Sequence, residues 1–177
     1  RKSPTHLIMD AWVKGIRRLR IIHYNFVRPE TAAEVMEAAE IMEIMVRIGI
    51  EFFATFYDRF AQFIWVPRGF VNAGDFLRFL ERKDVQELMR EGEEVSNFQK
   101  NHVLEIMYAF NRDHRPTINR EFDVRMPPVD SREFLAFVGS GQASLLHLAK
   151  YIHRQLLPLM REKAEALRES YRSAERE

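Results

Sequence analysis

Residues whose types and spacing could do chemistry gather early in the chain: His23, Asn25, Arg47, Glu51 and Arg68. Arg47, Gly49 and Glu51 alternate with Val46, Ile48, Ile50 and Phe52 in the run MVRIGIEFFA. Period-two alternation is the signature of a strand with one apolar and one polar face. A carboxylate near the carboxyl end of such a strand can act as a general base or bind a metal, a guanidinium can hold an anionic group, and an asparagine amide can orient water or substrate. Glu51, Asn25 and Arg68 are therefore the candidate catalytic residues, and Glu51 with His23 the candidate ligands of a divalent metal, Zn or Mn. The plainer alternative makes Arg47 and Glu51 an ion pair on an exposed or layered sheet face, and Asn25 and Arg68 ordinary loop residues.

The elements that must position these groups can be read along the chain. Ile8, Trp12 and Ile16 recur at helical spacing, predicting a helix over about Leu7 to Arg17; the β-branched and aromatic run RIIHY then predicts a strand from about Leu19 to Tyr24. A helix should begin at Pro29 or Glu30, because proline suits a first turn and the helix dipole favours acidic side chains there. IMVRIGIEF follows as a second strand and QFIWV, 62 to 66, as a third. Strand, helix, strand is the arithmetic of a parallel βαβ unit, in which functional groups collect at the carboxyl ends of the strands. Strand endings at Asn25, Glu51 and Arg68 would then share one rim.

Beyond PRGFVNAG the pattern is helical: one helix to Gly92, a longer one carrying Phe98, His102, Ile106 and Phe110 at intervals of four, a short one capped by Asp130 with Glu133 in a capping box, and a long one interrupted near Pro158. His102, inside that stripe, reads as a core histidine. The fold class is α/β: a parallel βαβ-containing N-terminal half, 1–70, as in part of a barrel, and a mainly helical C-terminal half, 71–177. With 177 residues the chain suits a single domain, or a fragment of a larger chain, since it opens at RKSPTH and enters an amphipathic stretch at once.

RIGIEF resembles the Gly-x-Glu strand of metal-dependent hydrolase barrels of the polymerase-and-histidinol-phosphatase type, and the helix PETAAEVMEAAEIM precedes it as in such barrels. The resemblance covers about residues 5 to 70. It implies that Glu51 binds metal or neighbours a ligand, and that the chain is a hydrolase-like module acting on a small-molecule substrate. The paired histidines that open the family pattern are absent here.

Other signals narrow the field. His6, His23, His102, His114, His147 and His153 show none of the close spacings that put two imidazoles on one metal. GSGQAS, 139 to 144, reads as a turn between helices and NRDHRP, 111 to 116, as a helix cap; either could alternatively hold an anion. Lys and Arg total 27 against 26 acidic residues, a net charge of +1, so no global field recruits nucleic acid. Cysteine is absent, which removes thiolate chemistry and fits a reducing interior such as cytoplasm. No apolar run reaches the roughly 20 residues of a membrane span. FFATFYDRF, between strands two and three, predicts an apolar loop whose Phe53, Phe56 and Phe60 could bury against a protein partner or a second copy. That is the rival reading: a non-catalytic interaction or regulatory module. The two differ in what they require. An enzyme needs Asn25, Glu51 and Arg68 around one concavity; an interaction module needs an exposed apolar patch at Phe53, Phe56 and Phe60.

Overall fold

The computed structural model describes residues 3–139 and 141–175. Two compact units divide the chain, Arg1–Asn97 and Phe98–Glu177, and each has its own buried apolar cluster.

The first unit opens with α1 (Pro4–Val13), whose N-cap Ser3 accepts from the His6 backbone N–H. β1 (Arg18–Tyr24) follows, then α2 (Pro29–Ile41), with proline and Glu30 in its first turn, and β2 (Met45–Phe56). β1 and β2 are parallel and in register from Arg18 opposite Met45 to Tyr24 opposite Glu51, so the βαβ unit is present. The third strand departs from expectation. β3 (Arg59–Trp65) runs antiparallel to β2, with Phe56 opposite Arg59 and Ile50 opposite Trp65. FFATFYDRF is consequently no loop but the tip of a β-hairpin, closed by Tyr57 and Asp58 at φ 45° and 54°. Two positive φ values are what a two-residue turn of matching twist demands; Asn-Gly usually supplies them, and Tyr-Asp conceals the turn.

Paired residues in a sheet share a face, so the register sorts the side chains. Leu19, Ile21, His23, Val46, Ile48, Ile50, Phe52 and Trp65 lie on one face. There Ile21, Ile48 and Ile50 are buried with Ile8 and Ala11 of α1, Ala32, Val35, Ala38 and Ala39 of α2, and Phe76 and Leu80 of α3 (Ala73–Leu80). The other face carries Arg18, Arg20, Tyr24, Met45, Arg47, Phe53, Phe60, Gln62 and Ile64, all exposed. Gly49 sits in its middle. A Cβ there would come within 2.7 Å of Val66 Cγ2 and 2.9 Å of Ile22 Cδ1, so the glycine leaves room for two neighbouring side chains to close over the strand.

α4 (Lys83–Ala109) runs straight through Gly92, where the sequence predicts a helix end. The reason is close approach. A Cβ on Gly92 would lie 2.1 Å from the carbonyl oxygen of Asn25, so glycine is what lets the end of β1 rest on this helix.

In the second unit a π-helical turn, Phe110–His114, leads from α4 into α5 (Arg115–Phe122); NRDHRP thus continues a helix rather than capping one. α6 (Ser131–Val138) and α7 (Leu145–Ala174) complete it. Asp130 caps α6 by accepting from the N–H groups of Arg132 and Glu133, while the Glu133 side chain accepts from the Tyr151 hydroxyl instead of closing a capping box. Pro158 lies inside α7, which is one element rather than two. The stripe read at Phe98 and His102 is out of phase: Phe98 is 74% exposed, His102 is exposed beside Glu105, and Val103 and Met107 are buried in their place. Of GSGQAS, Ser140 lies outside the described residues; Ser144 caps α7 by accepting from the His147 N–H.

Candidate functional site

The polar groups expected on one rim are put to separate uses: Asn25 and Glu51 are neighbours through the backbone, and their side chains hold different partners. Asn25 is at the end of β1 in the left-handed region, φ 62°, a conformation asparagine tolerates better than most residues. Its N–H donates to the Glu51 carbonyl at 2.8 Å and its Nδ2 donates to Ser96 Oγ at 3.0 Å, and only 7% of the residue is exposed. These bonds fasten β1 to β2 and α4, so Asn25 is a structural latch. Arg68 lies three residues beyond β3, which runs antiparallel to β2 with Ile64 opposite Glu51 and Trp65 opposite Ile50, so it does not end a third parallel strand. Arg68 is exposed there.

The metal pair fails for an equally simple reason. His23 is opposite Ile50 on the helix-covered face, while Glu51, one position further along β2, points to the open face. Alternation puts the sheet between them, so they cannot ligate one ion. Among the described residues no cluster of three His, Cys, Asp or Glu side chains could hold a metal. The residues present therefore do not fit the Zn or Mn centre that the hydrolase resemblance implies. His23 Nε2 is buried with no hydrogen-bond partner, and burial lowers the pKa of the imidazole below its ordinary value.

Glu51 itself is half-buried on the open face, and Gln62 Nε2 donates to its Oε1 across the hairpin. Arg47 is four residues back on the same face, yet its guanidinium makes no ion pair with Glu51, nor do Arg18 and Arg20 pair with any carboxylate among the described residues. Arg20 and Arg47 are register partners, which sets two like charges side by side on strands about 4.8 Å apart. Both positions are legible in the alternation of RLRII and VRIGI.

At the other end of this face lies an apolar group: Tyr24 56% exposed, Phe53 57%, Ile64 59% and Phe60 83%. The hairpin divides the three phenylalanines singled out in the sequence, with Phe53 and Phe60 on the open face and Phe56 on the reverse side of the tip, edge-on to Tyr57 with ring centroids 4.6 Å apart. All three are exposed.

A concavity of about 420 Å³ occurs in the second unit, lined by Glu133, Phe137, Tyr151, Arg154 and Gln155. Burial, reinforced by the Glu133 carboxylate, raises the pKa of the Tyr151 hydroxyl, so that group stays protonated. None of Asn25, Glu51 or Arg68 lines it.

Among the described residues no helix is long and apolar enough to cross a membrane. No family model matches the chain, and no curated protein or solved structure matches it.

Proposed function

We propose that the first unit is an interaction module, and that the open sheet face with its hairpin receives another protein chain. One observation carries this reading: Tyr24, Phe53, Phe60 and Ile64 form an exposed apolar group on a face that no helix of the unit covers. Exposed apolar side chains are ordinary when scattered and informative when neighbours, because a contiguous patch is a place where burial can be gained on binding. The test is a photo-crosslinking amino acid at Gln62, which points from the centre of that face, compared with one at Tyr171 on the exposed end of α7. Adducts to a second polypeptide from position 62, absent from position 171 and abolished by Phe53→Ser with Phe60→Ser, are expected. Equal crosslinking from both positions, or none from 62, would end the proposal.

The hydrolase-like reading keeps one supporting observation, that Arg47 and Glu51 share the open face. In it Glu51 serves as general base and Arg47, in place of Arg68, holds an anionic substrate group. It is decided by phosphoesterase or amidohydrolase activity of wild type beside Glu51→Gln. An activity present in the wild type and lost in the variant would reinstate it over the interaction reading.

A further inference from the structure

Resting on the interaction reading, we infer that the partner presents an acidic segment, with carboxylates meeting Arg18, Arg20 and Arg47 and apolar side chains meeting Phe53, Phe60 and Ile64. The argument is charge complementarity on a defined face. Three guanidinium groups stand on the amino-terminal half of the open face, two of them directly opposed, and no carboxylate of the described residues answers them. Like charges opposed across a strand pair weaken the free sheet. An anion lying between them reverses the sign of that interaction, and a guanidinium fork donates two parallel hydrogen bonds to a carboxylate.

The composition of the whole face selects a protein over a nucleic acid. Glu51 lies in line with the arginines on the same face, where a continuous phosphate backbone would meet its charge, whereas a peptide can set a neutral or basic residue against it. Exposed Phe53, Phe60 and Ile64 call for apolar contact as well as anions, and a net charge of +1 gives no long-range pull on a polyanion. Against a second copy of this chain each face would bring three arginines and one Glu51, leaving most of the positive charge unanswered.

The test uses the full chain and a fluorescein-labelled twelve-residue peptide in which glutamate alternates with leucine and phenylalanine, with its glutamine-substituted twin, a twelve-nucleotide oligothymidylate and inorganic phosphate as competitors. Anisotropy titrations should show the acidic peptide binding at least tenfold more tightly than the neutral twin, weakening as salt rises. Arg20→Gln with Arg47→Gln should remove that tenfold preference while raising the thermal midpoint of the free chain. If Arg20→Gln with Arg47→Gln leaves binding unchanged but Phe53→Ser with Phe60→Ser abolishes it, the docking face stands and the acidic partner is overturned. If neither pair matters, or neither peptide binds, both readings fall. Stronger competition by oligothymidylate or phosphate than by unlabelled acidic peptide, or dimerisation of the chain abolished by the same variants, overturns the inference in favour of those occupants.

Discussion

The asparagines of the second unit and the open-face arginines of the first dispose of their polar groups in opposite ways. In the second, Asn111 brackets Val129, donating from Nδ2 to its carbonyl at 2.9 Å and accepting from its N–H at 2.8 Å. Asn119 does the same to Met126, at 3.2 and 2.9 Å, and Arg115 adds a donor to the Met126 carbonyl at 3.2 Å. Between those residues lie Pro127 and Pro128, which have no N–H to offer, so side-chain amides replace the ladder a strand would have made. In the first unit Arg18, Arg20 and Arg47 fasten nothing among the described residues, and Phe53 and Phe60 cover nothing. Where polar groups hold the chain's own backbone they explain the fold; where they stand free beside exposed apolar rings they point outward, to something that binds.

Breaking that contrast should have its largest effect in the second unit. Asn111→Ala removes both bonds to Val129, a residue only 3% exposed, and leaves a buried N–H and carbonyl without partners. A loss of about 3 kcal/mol is expected, read from urea denaturation followed by circular dichroism. Next comes the latch of the first unit. Gly92→Ala drives a methyl toward the Asn25 carbonyl and should cost about 2 kcal/mol in the same assay, although alanine raises helix propensity. An unchanged or improved midpoint would show that β1 does not rest on α4 as described.

A smaller effect sharpens the comparison through pH. His23 has its folded pKa lowered by burial, so the unfolded chain binds the proton more readily. The stability this contributes is whole above the unfolded value near 6.5 and is lost as pH falls below it toward the folded pKa. His23→Phe should flatten the acid side of the stability profile between pH 7.5 and 5.5. Parallel profiles for the two proteins would mean that the buried imidazole is no such liability.

How far the sequence carried these conclusions depends on how local the deciding feature was. Period-two alternation and the proline at the start of α2 revealed β1, α2 and β2, and the same alternation put Arg47, Gly49 and Glu51 on one face. The direction of β3 is not local: it turns on Tyr57 and Asp58 adopting positive φ without the Asn-Gly pair that announces such a turn, and with β3 reversed Arg68 no longer ends a third parallel strand. His23 and Glu51 were separated by register, which only pairing between strands determines. Gly92 looks like a stop in the sequence because its neighbour in space, Asn25, is distant along the chain. Asn111 and Asn119 give no motif at all, since their partners are backbone groups.

Equilibrium denaturation of Phe53→Ser with Phe60→Ser tests the central claim most directly, because it asks whether the hairpin rings belong to the fold or to a partner. Rings standing free on an uncovered sheet face should be replaceable with a stability change within about 0.5 kcal/mol. A loss of more than about 2 kcal/mol would place them in the chain's own core and contradict the docking face.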